Sequence, residues 1–545
     1  MPTTVQPRPR ATELVLVAAL LVGGTWLRWC HVGTPSLWWD ELVHIRTVSH
    51  ETVADVWRAT RDGVVPGSGN AGAVPVDYLA LHAWLAMTPS PSVAELERHD
   101  RFPAFAFAVA ALPLAWALAR SLAGPAAGLV ALALLATSIP HVLYAAEVRF
   151  YSLYVLVTLA NLATFVALVR APSLRRALGF AIVAVLCVLS ALYAAFPVAA
   201  EYLVLAALAV ASPPGRQRRV LVAAVTSALV VAGTLAAWLG TAIFMPGFGR
   251  GAFPALGPIA ALRATLDFFA TGAPFLAALF ATALVLAPVV ARHERGAVAL
   301  AVVMLLCAAA PGVIVLIARS KAYYYHPRHA LFLLPMVHLA TALVVGRGLA
   351  RLGRSAGVGA LVGTLAVLAA TAGAVHAYVT EPLSFFRATK TLRDYRGLAH
   401  AIAERTAAQG PNDRYLLVLE GKRTGHLANP TLAFYLDAYG IADRVLLTGI
   451  GDANALLARV ATACPTGCRG PATVQLLQTL GVRDAFDQPL GLRRFMGIHP
   501  STWGTDFTGI GVVTWAPNLP PASHGLTVTR LDGLALYEPV PPPSQ

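Results

Sequence analysis

The chain has 545 residues, 57% of them hydrophobic and only 12% charged, with a mean hydropathy of +0.65. A soluble protein of this length carries roughly a quarter charged residues, so the composition excludes a soluble globular chain and describes a polytopic membrane protein. The net charge of +14 requires no nucleic-acid partner, because the basic residues fall where membrane topology places them.

Apolar runs long enough to cross a bilayer (about 17–25 residues) recur through the first 380 residues. Eleven are predicted, near 12–30, 102–120, 124–141, 151–169, 176–194, 196–212, 219–240, 274–291, 296–318, 330–346 and 356–378. The first follows Arg8 and Arg10 as a signal peptide would. However, Trp26-Leu27-Arg28-Trp29 stands where a small-residue cleavage site belongs, so the run is a retained anchor. With the N-terminus in the cytoplasm, every inner turn is basic: Arg120; Arg170, Arg175 and Arg176; Arg216, Arg218 and Arg219; Arg292 and Arg295; Arg347, Arg351 and Arg354. Only Glu294 and the boundary residue Glu13 oppose them.

An odd number of spans puts Asp40, Glu41 and everything after about residue 379 outside. The first external loop, 31–100, holds a helix after Trp39 and an apolar segment from Val76 to Met87 that is too short to span. The second, 241–273, carries Phe244, Phe248, Phe253, Phe268 and Phe269 and reads as re-entrant or interfacial. The third, 380–545, alternates short apolar runs with turns. Tyr415–Leu419 and Arg444–Leu447 read as strands, Thr431–Tyr439 and Ala453–Ala463 as helices, together a small α/β domain. The fold class is therefore a polytopic α-helical membrane protein of about eleven transmembrane helices, residues 1–379, with an external C-terminal α/β domain.

Polar chemistry concentrates on one side. Ser36-Leu37-Trp38-Trp39-Asp40-Glu41-Leu42 sets two adjacent carboxylates beside interfacial tryptophans just after the first span. The bland account is an acidic first turn favoured by the helix dipole. The stretch Tyr144 to Tyr151, containing Glu147, Arg149 and Tyr151, lies at the outer end of the third and fourth spans. At the outer end of the ninth and tenth lies Arg319 to His329, with Lys321, Tyr324, Arg328 and His329. That basic outer loop runs against the positive-inside trend. Either a phosphate ligand or bulk attraction to anionic headgroups accounts for it. Glu201 is the main carboxylate within a span, a functional candidate by position or else a locally paired side chain; His338 and His376 read as packing histidines. Cys464 and Cys468, in Cys-Pro-Thr-Gly-Cys, read as a local disulfide in an oxidising compartment, since a zinc site lacks two further ligands nearby.

Taken in order, these segments resemble a known family. The external Asp-Glu pair is followed by Pro75-Val76-Asp77-Tyr78-Leu79-Ala80-Leu81-His82-Ala83-Trp84-Leu85, then by Arg101-Phe102-Pro103-Ala104 at the second span and Ala146-Glu147-Val148-Arg149-Phe150-Tyr151 after the third. Asp394-Tyr395-Arg396 opens the tail. The pattern, over about residues 11–440, resembles the GT-C membrane glycosyltransferases, nearest the bacterial members of glycosyltransferase family 39 and the aminoarabinose transferases. The resemblance implies a sugar donor on a polyprenyl phosphate, inversion at the anomeric centre, and an extracytoplasmic glycan, lipid or protein acceptor. It also implies a multi-pass protein of a bacterial inner membrane with its C-terminal domain outside.

In that family the first-loop Asp is catalytic, which maps onto Asp40, and its Glu neighbour, here Glu41, helps to bind the donor. Arg149, Lys321 and Arg328 would stabilise the leaving phosphate, with Glu147, Tyr151, Tyr324 and His329 around it. His44, four residues after Asp40, would tune that carboxylate. No cofactor is firmly implied, and a divalent cation could sit at the outer carboxylates. The Lys-Pro-Pro element of aminoarabinose transferases is replaced by Val74-Pro75-Val76, which argues against aminoarabinose as the sugar. A flippase or transporter, or a non-catalytic envelope scaffold, are the alternatives. The first would concentrate ionisable groups at mid-membrane in repeated halves.

Overall fold

A computed structural model describes residues 11–62, 75–242, 256–320, 325–351, 356–382, 385, 395–407, 415–419, 425–442 and 445–449, together with strands at 474–482, 506–515, 526–531 and 534–539. The chain is a helical bundle followed by a mixed sheet. Among the described residues, nine helices are long and apolar enough to cross a membrane, ten if one bent pair is a single span. The protein is a multi-pass membrane protein.

The first span is α1 (Ala11–Trp29). The loop after it folds into α2 (Trp39–Val48), α3 (Val53–Asp62) and α4 (Pro75–Met87). The long α5 (Leu96–Ala123) follows, then α6 (Pro125–Ala136) and α7 (Ile139–Ala145). Next come α8 (Tyr151–Arg170), α9 (Leu174–Ser190), α10 (Ala195–Ala211) and α11 (Pro214–Ala242). After these run α12 (Pro258–Phe269), α13 (Pro274–Ala291), α14 (Arg295–Cys307), α15 (Ala310–Ser320), α16 (Leu333–Arg351) and α17 (Ala356–Thr380). Of the eleven expected spans, the fifth is α9, whose 17 residues sit at the short end of what crosses a bilayer.

The bundle is organised around α6, which is apolar on all sides and buried from Ala126 to Ala136, as a helix without a polar face must be. Small residues let its neighbours close in. A Cβ on Gly346 of α16 would lie 2.8 Å from the Cβ of Ala127, and one on Gly24 of α1 would lie 3.0 Å from that of Ala136.

The third expected span, 124–141, is not one helix: α6 and α7 meet at 57°. The cause is Pro140, which has no N–H to give the carbonyl four residues back. Arg28 replaces it. Its Nη1 donates to Ala136 O (3.0 Å) and Gly24 O (2.8 Å), and its Nη2 to Leu135 O (2.7 Å). A cation capping the end of α6 is also favoured by the helix dipole.

The two ends of the bundle differ chemically. At one end Arg120 pairs with Glu13 (2.7 Å) and Arg170 with Glu294 (3.1 Å), while Arg347 donates to Leu122 O (3.1 Å) and Arg216 to Val169 O (2.8 Å). At the other end stand α2, the 146–150 turn and the short 3-10 turn Pro327–Ala330.

In the tail, α18 (Tyr395–Ala407) and α19 (Gly425–Ala438) accompany a six-stranded sheet. Its strands are β1 (Tyr415–Leu419), β2 (Val445–Gly449), β3 (Val474–Val482), β4 (Asp506–Trp515), β5 (Leu526–Leu531) and β6 (Leu534–Pro539), in the order β2-β1-β3-β4-β6-β5. β1 runs parallel to β2 and β3, whereas β3–β4 and β5–β6 are antiparallel. The expected helix at 453–463 and the Cys464–Cys468 pair lie outside the described residues.

Candidate active site

Asp40 is the second residue of α2. The stretch leading to it cannot pair as helix or sheet, so its backbone groups need side-chain partners. Arg101, near the start of α5, supplies most of them. Its Nη1 donates to Val32 O (2.9 Å) and Pro35 O (2.7 Å), and its Nη2 to Ser36 O (3.2 Å). The remaining donors go to Glu41, Nε to Oε1 at 2.8 Å and Nη2 to Oε2 at 2.9 Å. All five guanidinium N–H groups are used.

The adjacent carboxylates therefore part company. Glu41 is wholly buried, and beyond Arg101 it accepts N–H from Val148 (2.8 Å) and from Trp38 (3.3 Å). Expected to touch a donor, it instead ties the first loop, α5 and the 146–150 turn together. Asp40 keeps a side chain 20% exposed and faces Arg149, with 3.9 Å between Oδ2 and Nη1.

His44 does not pair with Asp40 either. Its Nε2 lies 2.6 Å from Asp77 Oδ2 on α4, and its ring stacks on Tyr78 at 3.7 Å. Burial pushes its pKa below the ordinary histidine value, with Asp77 opposing only in part. Asp77 carries the sole fixed charge of α4. A lone carboxylate on so apolar a helix was the available signal for a buried partner.

The 146–151 and 325–329 segments, far apart in sequence, meet at Tyr151. The Arg149 guanidinium lies 5.8 Å from its ring centroid and that of Arg328 6.0 Å, within cation–π range. Arg149 also lies 5.6 Å from Phe150. Burial works against the Arg149 charge, but Tyr151, Asp40, Tyr78 and Glu147 together outweigh it and hold the pKa above the ordinary arginine value. Glu147 is buried on the same turn, its carbonyl accepting the Arg149 N–H at 2.7 Å.

The 3-10 turn fixes Arg328 through crossed imidazole contacts. His326 N–H donates to His329 Nδ1 (3.3 Å), and Arg328 N–H donates to His326 Nδ1 (3.1 Å). Burial first, then the neighbouring Arg328, drives both imidazoles well below the usual pKa, so both are neutral. His329 stacks on Tyr193 at 5.1 Å. Lys321 and Tyr324 lie outside the described residues. Glu201 sits apart, buried in the bundle and accepting from Asn161 Nδ2 at 2.6 Å. It is the locally paired side chain. No group of three His, Cys, Asp or Glu side chains among the described residues is placed to hold a metal.

A cavity of about 370 Å³ lies at the break between α6 and α7, walled by Thr137, Ser138, Phe269, His338, Thr371 and Phe385 among others. Its lining is largely apolar. The seven-residue α7, about 10 Å long at 1.5 Å per residue, leads from it to the 146–150 turn.

No protein-family model matches the sequence, and no curated protein does. Solved structures do. The chain is similar to ArnT from Cupriavidus metallidurans in the apo state, with 12% identity and a TM-score of 0.50, over 86% of this chain and 92% of that one. It is similar to the same protein bound to undecaprenyl phosphate, with 13% identity and a TM-score of 0.50, over 86% and 94%. The chain has the GT-C fold.

Proposed function

We propose that this protein is an inverting glycosyltransferase. It moves a sugar from a polyprenyl-phosphate carrier to an acceptor hydroxyl outside the cytoplasmic membrane, an envelope glycan, glycolipid or protein. The observation that carries the proposal is the pairing of Asp40 with Arg149 at 3.9 Å, beside a second guanidinium, Arg328, across Tyr151. One partly exposed carboxylate thus stands next to two fixed cations at the same end of a bundle. A structure of the same fold holds undecaprenyl phosphate, which supports a lipid phosphate as the group these cations serve.

The chemistry follows from those residues. Asp40 accepts the proton of the attacking hydroxyl. The hydroxyl oxygen bonds to the anomeric carbon as the bond from that carbon to the phosphate oxygen breaks, and the electron pair leaves with the lipid phosphate. That dianion needs charge stabilisation rather than a general acid, and Arg149 and Arg328 supply it. Glu147, Tyr151 and His329 shape the same wall, and Lys321 and Tyr324 are assigned to it from the sequence. The cavity beside α7 offers an isoprenoid chain room between the helices. In this proposal the arginine-rich end faces the cytoplasm, residues 1–379 form the membrane catalytic domain, and residues 380–545 lie outside.

The test has two arms. Asp40→Asn should lower transfer by roughly two to four orders of magnitude without loss of folded protein. Arg149→Ala and Arg328→Ala should each weaken binding of a short-chain polyprenyl phosphate by about tenfold or more. Arg263→Ala serves as control, since that side chain is 85% exposed. Equal weakening by all three substitutions makes the cations a diffuse headgroup attractor and overturns the donor site.

A further inference from the structure

The C-terminal segment reaches into the loop that aims Asp40. The hydroxyl of Tyr435, on α19, accepts the backbone N–H of Leu37 at 2.6 Å and donates to Glu97 Oε1 at 2.8 Å. Glu97, in the first turn of α5, is wholly buried, and its Oε2 accepts from Arg396 Nη1 at 2.8 Å. Arg396, on α18, also donates its backbone N–H to Ser36 Oγ (3.2 Å) and its Nη1 to Gly33 O (3.4 Å). Residues 33–37 are therefore gripped from two sides: by Arg101 of α5 at their carbonyls and by the tail at Leu37 N–H, Ser36 and Gly33. Glu97 and Arg101 lie one helical turn apart, so a single face of α5 joins the two grips.

We infer that Arg396 and Tyr435 are positioning residues for Asp40, so that the C-terminal segment is a working part of the site and not an appended module. The inference rests on the proposed role of Asp40. Leu37 precedes Asp40 by three residues, and its buried amide has Tyr435 as its hydrogen-bond partner. A buried N–H without a partner is costly, so without the hydroxyl the start of α2 shifts toward arrangements in which Leu37 N–H finds water. The apolar contacts of Leu432, Tyr435 and Leu436 with Leu37 and Leu42 do not depend on the hydroxyl. They hold the tail in place while the aim of Asp40 is lost. Geometric errors of this kind are expensive at an active site: about 1 Å of misplacement can cost ~10²-fold in rate.

The experiment reads the position of residue 40 directly and does not depend on the identity of sugar or acceptor. Asp40→Cys is introduced into the full chain, and maleimide modification at that residue is followed by peptide mass spectrometry. Adding Tyr435→Phe should speed modification by about five- to thirtyfold, the population shift expected for one lost buried hydrogen bond. Arg396→Ala should act in the same direction and Arg396→Lys less, whereas a cysteine placed at Arg263 should react at an unchanged rate. Binding of a short-chain polyprenyl phosphate should stay within about twofold of wild type in Tyr435→Phe, because such a change lies well below one hydrogen bond at the phosphate. The Arg396 side chain is 28% exposed, so its variants test the inference even where Tyr435→Phe folds poorly. If residue 40 reacts equally fast in all backgrounds, the tail does not position Asp40 and the inference is overturned. If the rates shift as expected while Asp40→Asn retains full transfer, the coupling stands and the assignment of Asp40 as base is what fails.

Discussion

The clamp between Glu41 and Arg101 lends itself to a quantitative test. Both side chains are wholly buried, and two hydrogen bonds of 2.8 and 2.9 Å join them. Arg101→Met takes the guanidinium from the buried Glu41 carboxylate, which still accepts the Val148 and Trp38 N–H groups, and removes the Arg101 donors to the Val32, Pro35 and Ser36 carbonyls. Breaking one partner of a buried pair costs ~3–5 kcal/mol. Glu41→Leu should cost a similar amount by stranding the guanidinium. The double variant removes both charges and should recover the Coulombic part. It should not recover the carbonyls and amides, which are each worth about 1–3 kcal/mol when buried without a partner. The expected outcome is a double variant less destabilised than the sum of the singles by ~2–3 kcal/mol, the size of coupling seen between residues in contact. Denaturant unfolding of detergent-solubilised protein, followed by tryptophan fluorescence, measures this. Additivity within ~0.5 kcal/mol refutes a direct buried pair.

Two further outcomes follow from buried polar groups. Burial, first among the causes, depresses the pKa values of His44, His326 and His329 in the fold. Below about pH 6.5, the ordinary histidine value, the unfolded chain binds more protons than the folded one. Stability should then fall with pH, by at most ~1.4 kcal/mol per unit for each histidine, and should not vary from this source above about pH 7. A thermal midpoint that holds or rises from pH 7 to pH 5 contradicts the assignment. At the bent span, Arg28→Met should destabilise by ~3 kcal/mol or more, because the Leu135 and Ala136 carbonyls lose their donor. Adding Pro140→Ala restores an N–H to that turn and should regain part of the loss. If Arg28→Met is neutral, the break has another support.

What could be read from the sequence divides along a physical line. The spans were legible because burial in lipid imposes an apolar run of fixed minimum length. That Asp40, Arg149 and Arg328 share one end of the bundle was legible because charge is costly within the spans of such a chain. Partner choice was not. Glu41 and His44 sit within one turn of Asp40, and proximity in sequence suggested a shared role. Their partners, Arg101 and Asp77, lie 60 and 33 positions away, on helices whose packing no local pattern specifies. The bent third span was hidden for a related reason. Pro140 was visible, as were Thr137 and Ser138 before it, but the run from Pro125 to Ala136 is apolar throughout, and the group that makes the break tolerable is Arg28, more than a hundred positions earlier. Tyr435 was missed altogether, since a tyrosine in a short tail helix carries no signal until the carbonyl-rich loop it serves has been placed.

Arg101 and Arg149 show how this fold separates structure from chemistry. Arg101 has every N–H donor engaged and its carboxylate partner sealed from solvent. Nothing remains for it to bind, and moving it would cost several hydrogen bonds at once. Arg149 has one carboxylate held at 3.9 Å and two aromatic rings beside it, and its buried Nε has no hydrogen-bond partner among the described residues. A buried donor left unmatched is costly, and it persists where surrounding packing fixes the geometry for some other purpose. Here that packing is the tight turn at 147–149 and the Phe150 and Tyr151 rings. The saturated pair holds the loop, and the unsaturated one keeps a cation and a partly exposed carboxylate apart. That loose pairing suits the proposed reaction between an incoming hydroxyl and a departing phosphate: a base on one side, fixed positive charge on the other, in an ion pair at 3.9 Å that is not locked by a hydrogen bond.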